Sequence, residues 1–243
     1  MTIPKSNSGD GRTLVLITGF GPFPSVPVNA TMTLVPRLAR AAKVLFPGIR
    51  FECAILPTEW DAAPQQVDKL VSRLNPDIVL HFGVSRRARG FEIERRGRNV
   101  RALSPDACGV IPNDARINAR GPELRASRLP VAEIVVRLRQ RGIAAFQSWN
   151  AGTYLCNATL FRTLASKRTQ HVQTGFVHVP AELTPPGTSA AASNGGARTS
   201  PGCPLTWAEA ETGGLEILAA CLDQPSPSSK AILRALRSGA RTR

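Results

Sequence analysis

The sequence predicts an α/β fold, a three-layer sandwich in which a mostly parallel, twisted sheet is flanked by helices. Two observations support this prediction. Short β-branched and apolar runs, typical of buried strands, alternate along the chain with segments of helical periodicity. Of the 243 residues, 42% are apolar, which is enough for one sizeable core, so a single domain over residues 1–243 is expected.

Six segments are expected to form strands. Two of them are continuous apolar runs that each end at a glycine, Gly19 or Gly83. Another alternates around Phe91 and Ile93, as a more exposed strand or a hairpin arm would. The six expected strands are residues 13–18, 50–55, 77–82, 89–100, 144–149 and 174–179.

Helical spacing and capping signals define the helices. Asn29 is expected to cap the first helix, which Pro36 should kink or restart. Thr206 and Glu209 have the spacing of a capping box. The expected helices are residues 29–44, 58–74, 130–141, 152–166 and 206–222, with a short helix after Ser228 and a loop over 105–128.

Three segments lie outside this pattern. Residues 1–12 are polar and lack the apolar region of a secretory signal, so a flexible N-terminus is expected. Residues 185–204 are rich in Gly, Ser, Ala and Pro, which favours a mobile loop. Residues 228–243 form a basic tail. No run approaches 18 apolar residues, so no membrane span is expected.

The cysteines indicate the redox environment. They are five in number and lack CxxC spacing, which argues against a disulfide framework and against a structural zinc site. A cytoplasmic location, where thiols stay reduced, is therefore expected. The five are Cys53, Cys108, Cys156, Cys203 and Cys221.

The formal net charge of +14 raises the question of nucleic-acid binding. Arginine outnumbers lysine by 26 to 5, and seven arginines lie between Arg86 and Arg101. No known nucleic-acid-binding motif accompanies this charge. A solvated basic surface is therefore expected, and nucleic-acid binding is kept only as a rival interpretation.

Ligands of parallel α/β sheets bind beyond the carboxyl ends of the strands. This rule selects four loops as candidate site segments: residues 19–29, 83–89 and 150–156, and the segment after His178. The sequence has neither a GxGxxG nor a GxxxxGK[ST] motif, so these loops do not predict a phosphate site.

Cys156 lies in the first turn of a predicted helix, directly after a strand and a turn of small residues. The unpaired N–H groups at a helix start favour a thiolate there. They can also hold a developing oxyanion. The alternative is ordinary, since an isolated cysteine in a helix is usually a small core residue.

His178 lies near the end of the last predicted strand. It would meet Cys156 at one rim of the sheet if their two strands were neighbours. His81 lies inside a buried strand and His171 in a polar loop, so both fit a catalytic role less well. The alternative for His178 is a buried ring bonded to a backbone carbonyl.

A Cys–His pair needs a third group that fixes the imidazole tautomer. Glu92 and Glu94 lie on the strand after Gly83, on the same face if the strand alternates regularly. Both could equally pair with nearby arginines at the surface. The residue pattern alone does not choose between them.

Several motifs resemble those of the pyroglutamyl peptidase I family, the pyrrolidone-carboxylate peptidases. They occur in the family's order between about residues 14 and 182. The motifs are residues 18–23 with Val28 and Asn29, residues 55–58 and 76–83, Glu94-Arg95 with Asn99, residues 151–157, and residues 175–180.

The resemblance implies an α/β cysteine peptidase that removes N-terminal pyroglutamate from peptides without a metal or an organic cofactor. It implies a triad of Cys156, His178 and Glu94, which leaves Glu92 a bystander. It also implies a homo-oligomer, a dimer or a tetramer. The substrate residues that we assign from it are Phe20, Phe23, Asn29 and Val84; for the two phenylalanines the alternative is ordinary packing.

The chain departs from the family pattern at three places. The loop over 83–89 carries arginines where the family has glycines and a glutamine. Ala102-Leu103 stands where the family has an alanine–arginine pair, and Arg101 or Arg89 are the candidates to replace that arginine. The segment 185–204 is longer than usual. Two further interpretations therefore remain: a weak or inactive homologue that acts as a binding protein, and a hydrolase of another small N-acyl group.

Overall fold

The computed structural model describes residues 11–23, 26–184 and 205–238. The strands are β1 Leu14–Phe20, β2 Arg50–Leu56, β3 Ile78–Ser85, β4 Phe91–Glu94, β5 Arg96–Arg98, β6 Leu124–Ala126, β7 Ala145–Ser148 and β8 Gln173–Pro180. The helices are α1 Thr31–Leu45, α2 Ala62–Leu74, α3 Val131–Gln140, α4 Leu155–Ala165, α5 Trp207–Cys221 and α6 Ser229–Ser238, with a 3-10 turn at Lys167–Thr169.

The main sheet has the strand order β2-β1-β3-β8-β4-β7, and β5 and β6 form a separate antiparallel pair. Strands β1, β2, β3 and β8 are parallel to one another. Strand β4 is antiparallel to β8 and parallel to β7, so β4 and β7 run opposite to the other four. The predicted α/β sandwich with a mostly parallel sheet is confirmed.

Each face of the sheet is covered by its own layer of helices. Helices α1, α3 and α5 pack on one face, and α6 packs against α1 through Ile232 and Ala235. Helices α2 and α4 pack on the other face. Side chains alternate between these two layers along every strand. In β8, Val177 and Val179 face the first layer, so Phe176 and His178 face α2 and α4.

Helix α1 differs from its prediction at two residues. It begins at Thr31, and its N-cap residue is Ala30 rather than Asn29. Asn29, one residue before the N-cap, accepts a hydrogen bond from the Thr31 amide through its side chain. The helix also continues through Pro36 without restarting. A proline removes one backbone hydrogen bond, and burial of the helix's apolar face, including Leu34 and Leu38, offsets that loss.

Three predictions about strands were wrong in detail. Strand β3 does not end at Gly83 but continues to Ser85, because β8 pairs with it as far as Pro180. Strand β4 is not exposed, since it lies between β8 and β7. Residues 105–128 are mostly loop, yet they contain the short strand β6.

The C-terminal helices agree with the sequence. Thr206 and Glu209 form both hydrogen bonds of the capping box at the start of α5. Part of the expected basic tail forms α6. The expected mobile loop, 185–204, lies outside the described residues, as does most of the expected flexible N-terminus. Within the described ranges, no helix combines the length and the apolar character needed to cross a membrane.

A buried carboxylate joins α5 to its neighbours. Glu216 of α5 is fully buried. It accepts hydrogen bonds from Nε of Arg141, at 2.5 Å, and from Oγ of Ser226, at 2.5 Å. Arg137 of α3 lies 3.9 Å from the same carboxylate. Because every partner belongs to a different segment from α5, this cluster fixes α3 and the chain before α6 against α5.

Candidate active site

The element that positions Cys156 beside His178 is not the one predicted. Strands β7 and β8 are separated by β4 and run antiparallel, so they do not end at a common rim. Cys156 is instead the second residue of α4, which packs across the sheet face that carries His178. The helix start, and not the end of β7, therefore delivers the sulfur.

His178 and Glu94 form a buried hydrogen bond. Nδ1 of His178 lies 2.8 Å from Oε1 of Glu94, and the two residues are 5% and 0% exposed. The side chain of Cys156 also hydrogen-bonds the imidazole. Because Nδ1 is directed at Glu94, Nε2 is the ring nitrogen left for the sulfur. The structure thus brings Cys156, His178 and Glu94 together.

The imidazole of His178 favours its protonated form. Burial by itself lowers its pKa, but the charge and hydrogen bond of Cys156, followed by those of Glu94, outweigh it and raise the pKa to about 10. The site therefore favours a protonated His178.

Glu92 is the closest competitor of Glu94. It lies opposite His178 in the β4–β8 register and shares the α2/α4 side of β4 with Glu94. Burial raises the pKa of the Glu92 carboxyl, His178 lowers it, and Glu94 raises it again. Nδ1 of His178 nevertheless donates its hydrogen bond to Oε1 of Glu94, at the diagonal position.

Glu92, Glu94 and His178 are also a group of side chains that could hold a cation. Glu92, Glu94 and His178 each place one ligand atom within 4.8 Å of the others. Oε2 of Glu94 has no hydrogen-bond partner among the described residues. Oε1, however, already accepts a hydrogen bond from the imidazole, so the contact of Glu94 that the structure shows is with His178. The absence of a required metal stays a prediction.

Gly83 lies in the candidate segment 83–89 but was not singled out as a site residue. It lies beside His178 in the β3–β8 register. A Cβ built on Gly83 would be 2.7 Å from Cζ of Phe176 and 3.0 Å from Sγ of Cys156. Only glycine leaves room for the sulfur at this point. The glycine at the end of an apolar strand was the available signal, but the neighbours that require it are visible only in the fold.

The start of α4 supplies donors next to the sulfur. Tyr154 is the N-cap residue and makes no side-chain cap hydrogen bond. The first N–H groups of any helix lack an intrahelical acceptor, so those near Cys156 can hold an oxyanion. Asn157 fixes this turn, since its side chain donates to the carbonyls of Arg98 and Val100 and accepts from the Arg98 amide.

Two pairs of aromatic rings lie near His178 and Cys156. The ring of Phe20 lies 6.1 Å from that of Phe176, which lies 4.8 Å from the imidazole of His178. On the other side, the ring of Phe23 lies 5.9 Å from that of Tyr154. Tyr154 was not singled out from the sequence, although it lies two residues before Cys156.

Two of the expected substrate residues have other roles for their side chains. Asn29 donates to the carbonyl of Gly21 and accepts two hydrogen bonds from Thr31, so it shapes the first loop. Val84 packs against the core on the opposite face of the sheet. Because the Val84 side chain lies on the sheet face opposite His178, the part of this residue that a substrate could contact is its backbone.

That backbone lies at an opening in the sheet. The β1–β3 ladder ends at Thr18 and His81, whereas the β3–β8 ladder continues to Ser85 and Pro180. Residues 82–85 therefore have no strand partner on their β1 side within the described chain. The backbone N–H and C=O groups of this segment that do not bond to β8 therefore face the β1 side.

Arg101 and Arg89, the two candidates to replace the family's arginine, lie in different loops. Nε of Arg101 donates to the carbonyl of Asp114 at 2.8 Å, which holds the surface loop. Arg89 is exposed at the rim after β3. The neighbouring Ala102 instead donates its amide to the carbonyl of Thr153, at 2.6 Å, and so supports the turn before α4.

His81 has a structural position. It is fully buried, with Nδ1 2.6 Å from Oγ1 of Thr18 and Nε2 3.1 Å from Oγ1 of Thr163. Burial lowers its pKa to about 3, so the ring is neutral. It ties β1 and β3 to α4 and takes no part in the site, as its place in a buried strand suggested.

Comparison with known proteins gives one consistent result. The family described as Pyroglutamyl peptidase matches residues 13–200. The pyrrolidone-carboxylate peptidase of Pseudomonas fluorescens is 32% identical over 168 residues, which cover 69% of this chain and 78% of that protein. The enzyme of the same name from Pyrococcus furiosus is 34% identical over 174 residues, covering 68% and 80%.

Solved structures have the same architecture. The pyrrolidone carboxyl peptidase from Thermus thermophilus superimposes with a TM-score of 0.68 at 29% identity, covering 86% of this chain and 100% of that one. The pyroglutamyl peptidase I of Bacillus amyloliquefaciens superimposes with a TM-score of 0.73, covering 87% and 98%. At 24% identity, this second likeness concerns the fold alone.

Proposed function

Because this chain belongs to the pyroglutamyl peptidase family, we propose that it removes N-terminal pyroglutamate from peptides, with Cys156 as nucleophile, His178 as acid and base, and Glu94 as the residue that orients the histidine. The observation that carries this proposal is the hydrogen-bonded series from Glu94 through His178 to Cys156. Its members come from β4, β8 and α4.

The first step forms an acyl-enzyme. The Cys156 thiolate attacks the pyroglutamyl carbonyl carbon, a C–S bond forms, and the carbonyl oxygen becomes an oxyanion near the first amides of α4. Collapse of this intermediate breaks the C–N bond. Nε2 of His178 delivers its proton to the departing amine, which leaves a thioester and a neutral imidazole.

The second step reverses these roles. Neutral His178 takes a proton from water, and the resulting hydroxide attacks the thioester carbon. The C–S bond breaks, Cys156 leaves as a thiolate beside the imidazolium, and pyroglutamate is released. Glu94 holds Nδ1–H throughout, so that Nε2 always faces the sulfur.

The lactam ring of pyroglutamate is small, neutral and offers one N–H and one C=O. Phe20 and Phe23 supply apolar walls for such a ring, and the open backbone of residues 82–85 supplies polar groups. A site of this kind needs no charged anchor. Asn29 contributes by holding the loop that carries the two phenylalanines.

A fluorogenic pyroglutamyl amide tests the proposal. Turnover should occur in the natural sequence and vanish in Cys156→Ala, but persist in Cys53→Ala, since Cys53 is an exposed residue of β2. Absence of turnover in the natural sequence would favour a non-catalytic binding protein. Faster cleavage of prolyl or acetyl amides than of the pyroglutamyl amide would indicate a hydrolase of another N-acyl group.

We further propose a cytoplasmic location, because the reaction needs a reduced thiol, and a single peptidase domain. The expected homo-oligomer, a dimer or a tetramer, stays a prediction for light scattering. So does the expectation that nucleic acid is not a partner, for which filter binding at two salt concentrations is the check.

A further inference from the structure

Asp106 is a buried carboxylate that the proposed reaction does not use. It lies in the loop between β5 and β6 and is 3% exposed. Its Oδ1 accepts hydrogen bonds from the amides of Cys108 and Val110, each at 2.9 Å, and its Oδ2 accepts one from the amide of Trp60, at 3.0 Å. A carboxylate is costly to bury unless its oxygens are hydrogen-bonded. The three amides therefore fix this loop in one conformation and join it to the segment before α2.

The loop around Asp106 also binds the polar ends of two aromatic side chains. The carbonyl of Ser104 accepts a hydrogen bond from Nε1 of Trp60, at 3.0 Å. The carbonyl of Pro105 accepts one from the hydroxyl of Tyr154, at 3.1 Å. Trp60 is thus held at its backbone by the carboxylate and at its indole by the loop, and Tyr154 is held at its hydroxyl.

These rings form a row that reaches the proposed substrate site. The edge of Trp60 meets the ring of Tyr154, with centroids 5.0 Å apart and planes at 77°. The ring of Tyr154 lies 5.9 Å from that of Phe23, a proposed wall for the lactam ring. Tyr154 also lies two residues before Cys156. Because edge-to-face contacts favour particular ring orientations, a shift of Trp60 is passed on to the ring beside the substrate.

We propose that Asp106 is a positioning residue for recognition of the pyroglutamyl ring. It holds Trp60 and the loop in place, and these hold Tyr154 against Phe23. The proposal rests on the proposed peptidase function and assigns a residue that sets substrate binding in that site. Asp106 acts through the aromatic row and does not itself contact the substrate.

The turn that carries Cys156 has anchors of its own. The side chain of Asn157 donates to the carbonyls of Arg98 and Val100. These bonds do not involve the Asp106 carboxylate, so the catalytic groups should keep their places when that carboxylate is altered. A loss that affects substrate and transition state equally raises KM and leaves kcat unchanged.

Asp106→Asn tests this role. The asparagine oxygen can still accept from the amides of Cys108 and Val110, but its NH₂ group faces the Trp60 amide, which is also a donor. The variant therefore loses the link to Trp60 and keeps the loop. We expect KM for the fluorogenic pyroglutamyl amide to rise roughly tenfold, as for one lost charge-assisted hydrogen bond. We expect kcat to change by less than about threefold.

A matched control and a second variant assign the effect. Asp114 is an exposed residue of the same loop whose Oδ1 accepts from the Arg116 amide, so Asp114→Asn should leave KM and kcat unchanged. Tyr154→Phe removes the hydrogen bond to Pro105 and keeps the ring, and it should raise KM roughly threefold. This variant tests the row even if Asp106→Asn does not fold.

Substrate binding can also be measured without turnover. In Cys156→Ala, calorimetry gives the Kd of pyroglutamyl-alanine, and adding Asp106→Asn should raise this Kd by the same roughly tenfold. An equal Kd with and without Asp106→Asn, or a fall in kcat at unchanged KM, would overturn the proposal. If the natural sequence does not cleave the fluorogenic amide, the peptidase function fails, and the two Kd values still decide whether Asp106 supports lactam binding.

Discussion

Gly83 lies directly against the sulfur of Cys156. A Cβ at this position would approach Sγ to 3.0 Å and the ring of Phe176 to 2.7 Å. Both distances are too short for an unperturbed packing arrangement. The strand that carries Gly83 also pairs with the strand that carries His178. The absence of a side chain at Gly83 thus leaves room for the sulfur of Cys156 beside the strand that carries His178.

Gly83→Ala should therefore inactivate the protein without unfolding it. The added methyl group has to displace Phe176, Cys156 or the strand itself, and misplacement of a catalytic group by about 1 Å can cost on the order of 100-fold in rate. Overpacking should lower the free energy of unfolding by about 1–3 kcal/mol. Pyroglutamyl-amide turnover and thermal unfolding measure the two effects, and near-normal turnover would show that the sulfur is not confined there.

Glu94→Gln and Glu92→Gln should separate the two carboxylates. Loss of the charge that holds Nδ1–H of His178 should lower kcat by on the order of 10²–10⁴-fold. Glu92→Gln should change kcat by less than about fivefold, the range of a partly exposed charge. The pH profile of kcat should also shift more in Glu94→Gln. The reverse order of severity would transfer the orienting role to Glu92.

His178 should keep its proton well above neutral pH. Its pKa is raised from 6.5 to about 10, so the folded chain binds this proton more tightly than the unfolded chain. The resulting stabilisation is fully present below about pH 6.5 and is lost as the pH rises through 10. Thermal unfolding from pH 6 to pH 10 should follow this course.

Cys156→Ala should lower the pKa of His178, because the charge and hydrogen bond of the sulfur are the largest causes that raise it. NMR titration of the histidine rings measures this directly. His81, whose pKa is lowered to about 3 by burial, stays neutral in both proteins and serves as an internal reference. Identical titration of His178 with and without the sulfur would contradict the proposed ion pair.

Glu216→Ala should be among the more destabilising single substitutions in the C-terminal half. It removes the buried carboxylate that binds Arg141 and Ser226 and leaves buried donors without their partner, which costs about 3–5 kcal/mol. Glu123→Ala is the matched control, since Glu123 pairs with Arg116 at the surface, where the two side chains are 73% and 40% exposed, and it should cost at most about 1 kcal/mol. Urea denaturation compares them, and equal midpoints would refute the assigned role of Glu216.

The fold followed from local patterns, whereas the site geometry depended on the strand order. Apolar runs placed β1, β2, β3, β7 and β8 within a few residues. The pairing of β4 between β8 and β7, however, involves residues far apart in the chain. For that reason the prediction that Cys156 and His178 lie together at the ends of neighbouring strands was wrong. The two residues do lie together, but the start of α4 positions Cys156.

Glu92 and Glu94 show a second limit. Alternation correctly placed both on one face, but it could not rank them, because both belong to the same strand. What separates them is the β4–β8 register, in which Glu92 lies opposite His178 and Glu94 lies on the diagonal and reaches Nδ1. Register depends on the partner strand, so the residues around the glutamates do not encode it alone.

Strand β8 joins two parts of the sheet that have no other strand contact in the described chain, β2-β1-β3 on one side and β4-β7 on the other. Among the strands of the described residues, it is also the last to emerge during synthesis. Until it inserts, β3 and β4 each expose an unpaired edge, which promotes aggregation. Glu94 and His178, 84 positions apart, can meet only after that insertion. Such non-local pairing slows folding, so chains interrupted before residue 173 should be both inactive and prone to precipitate.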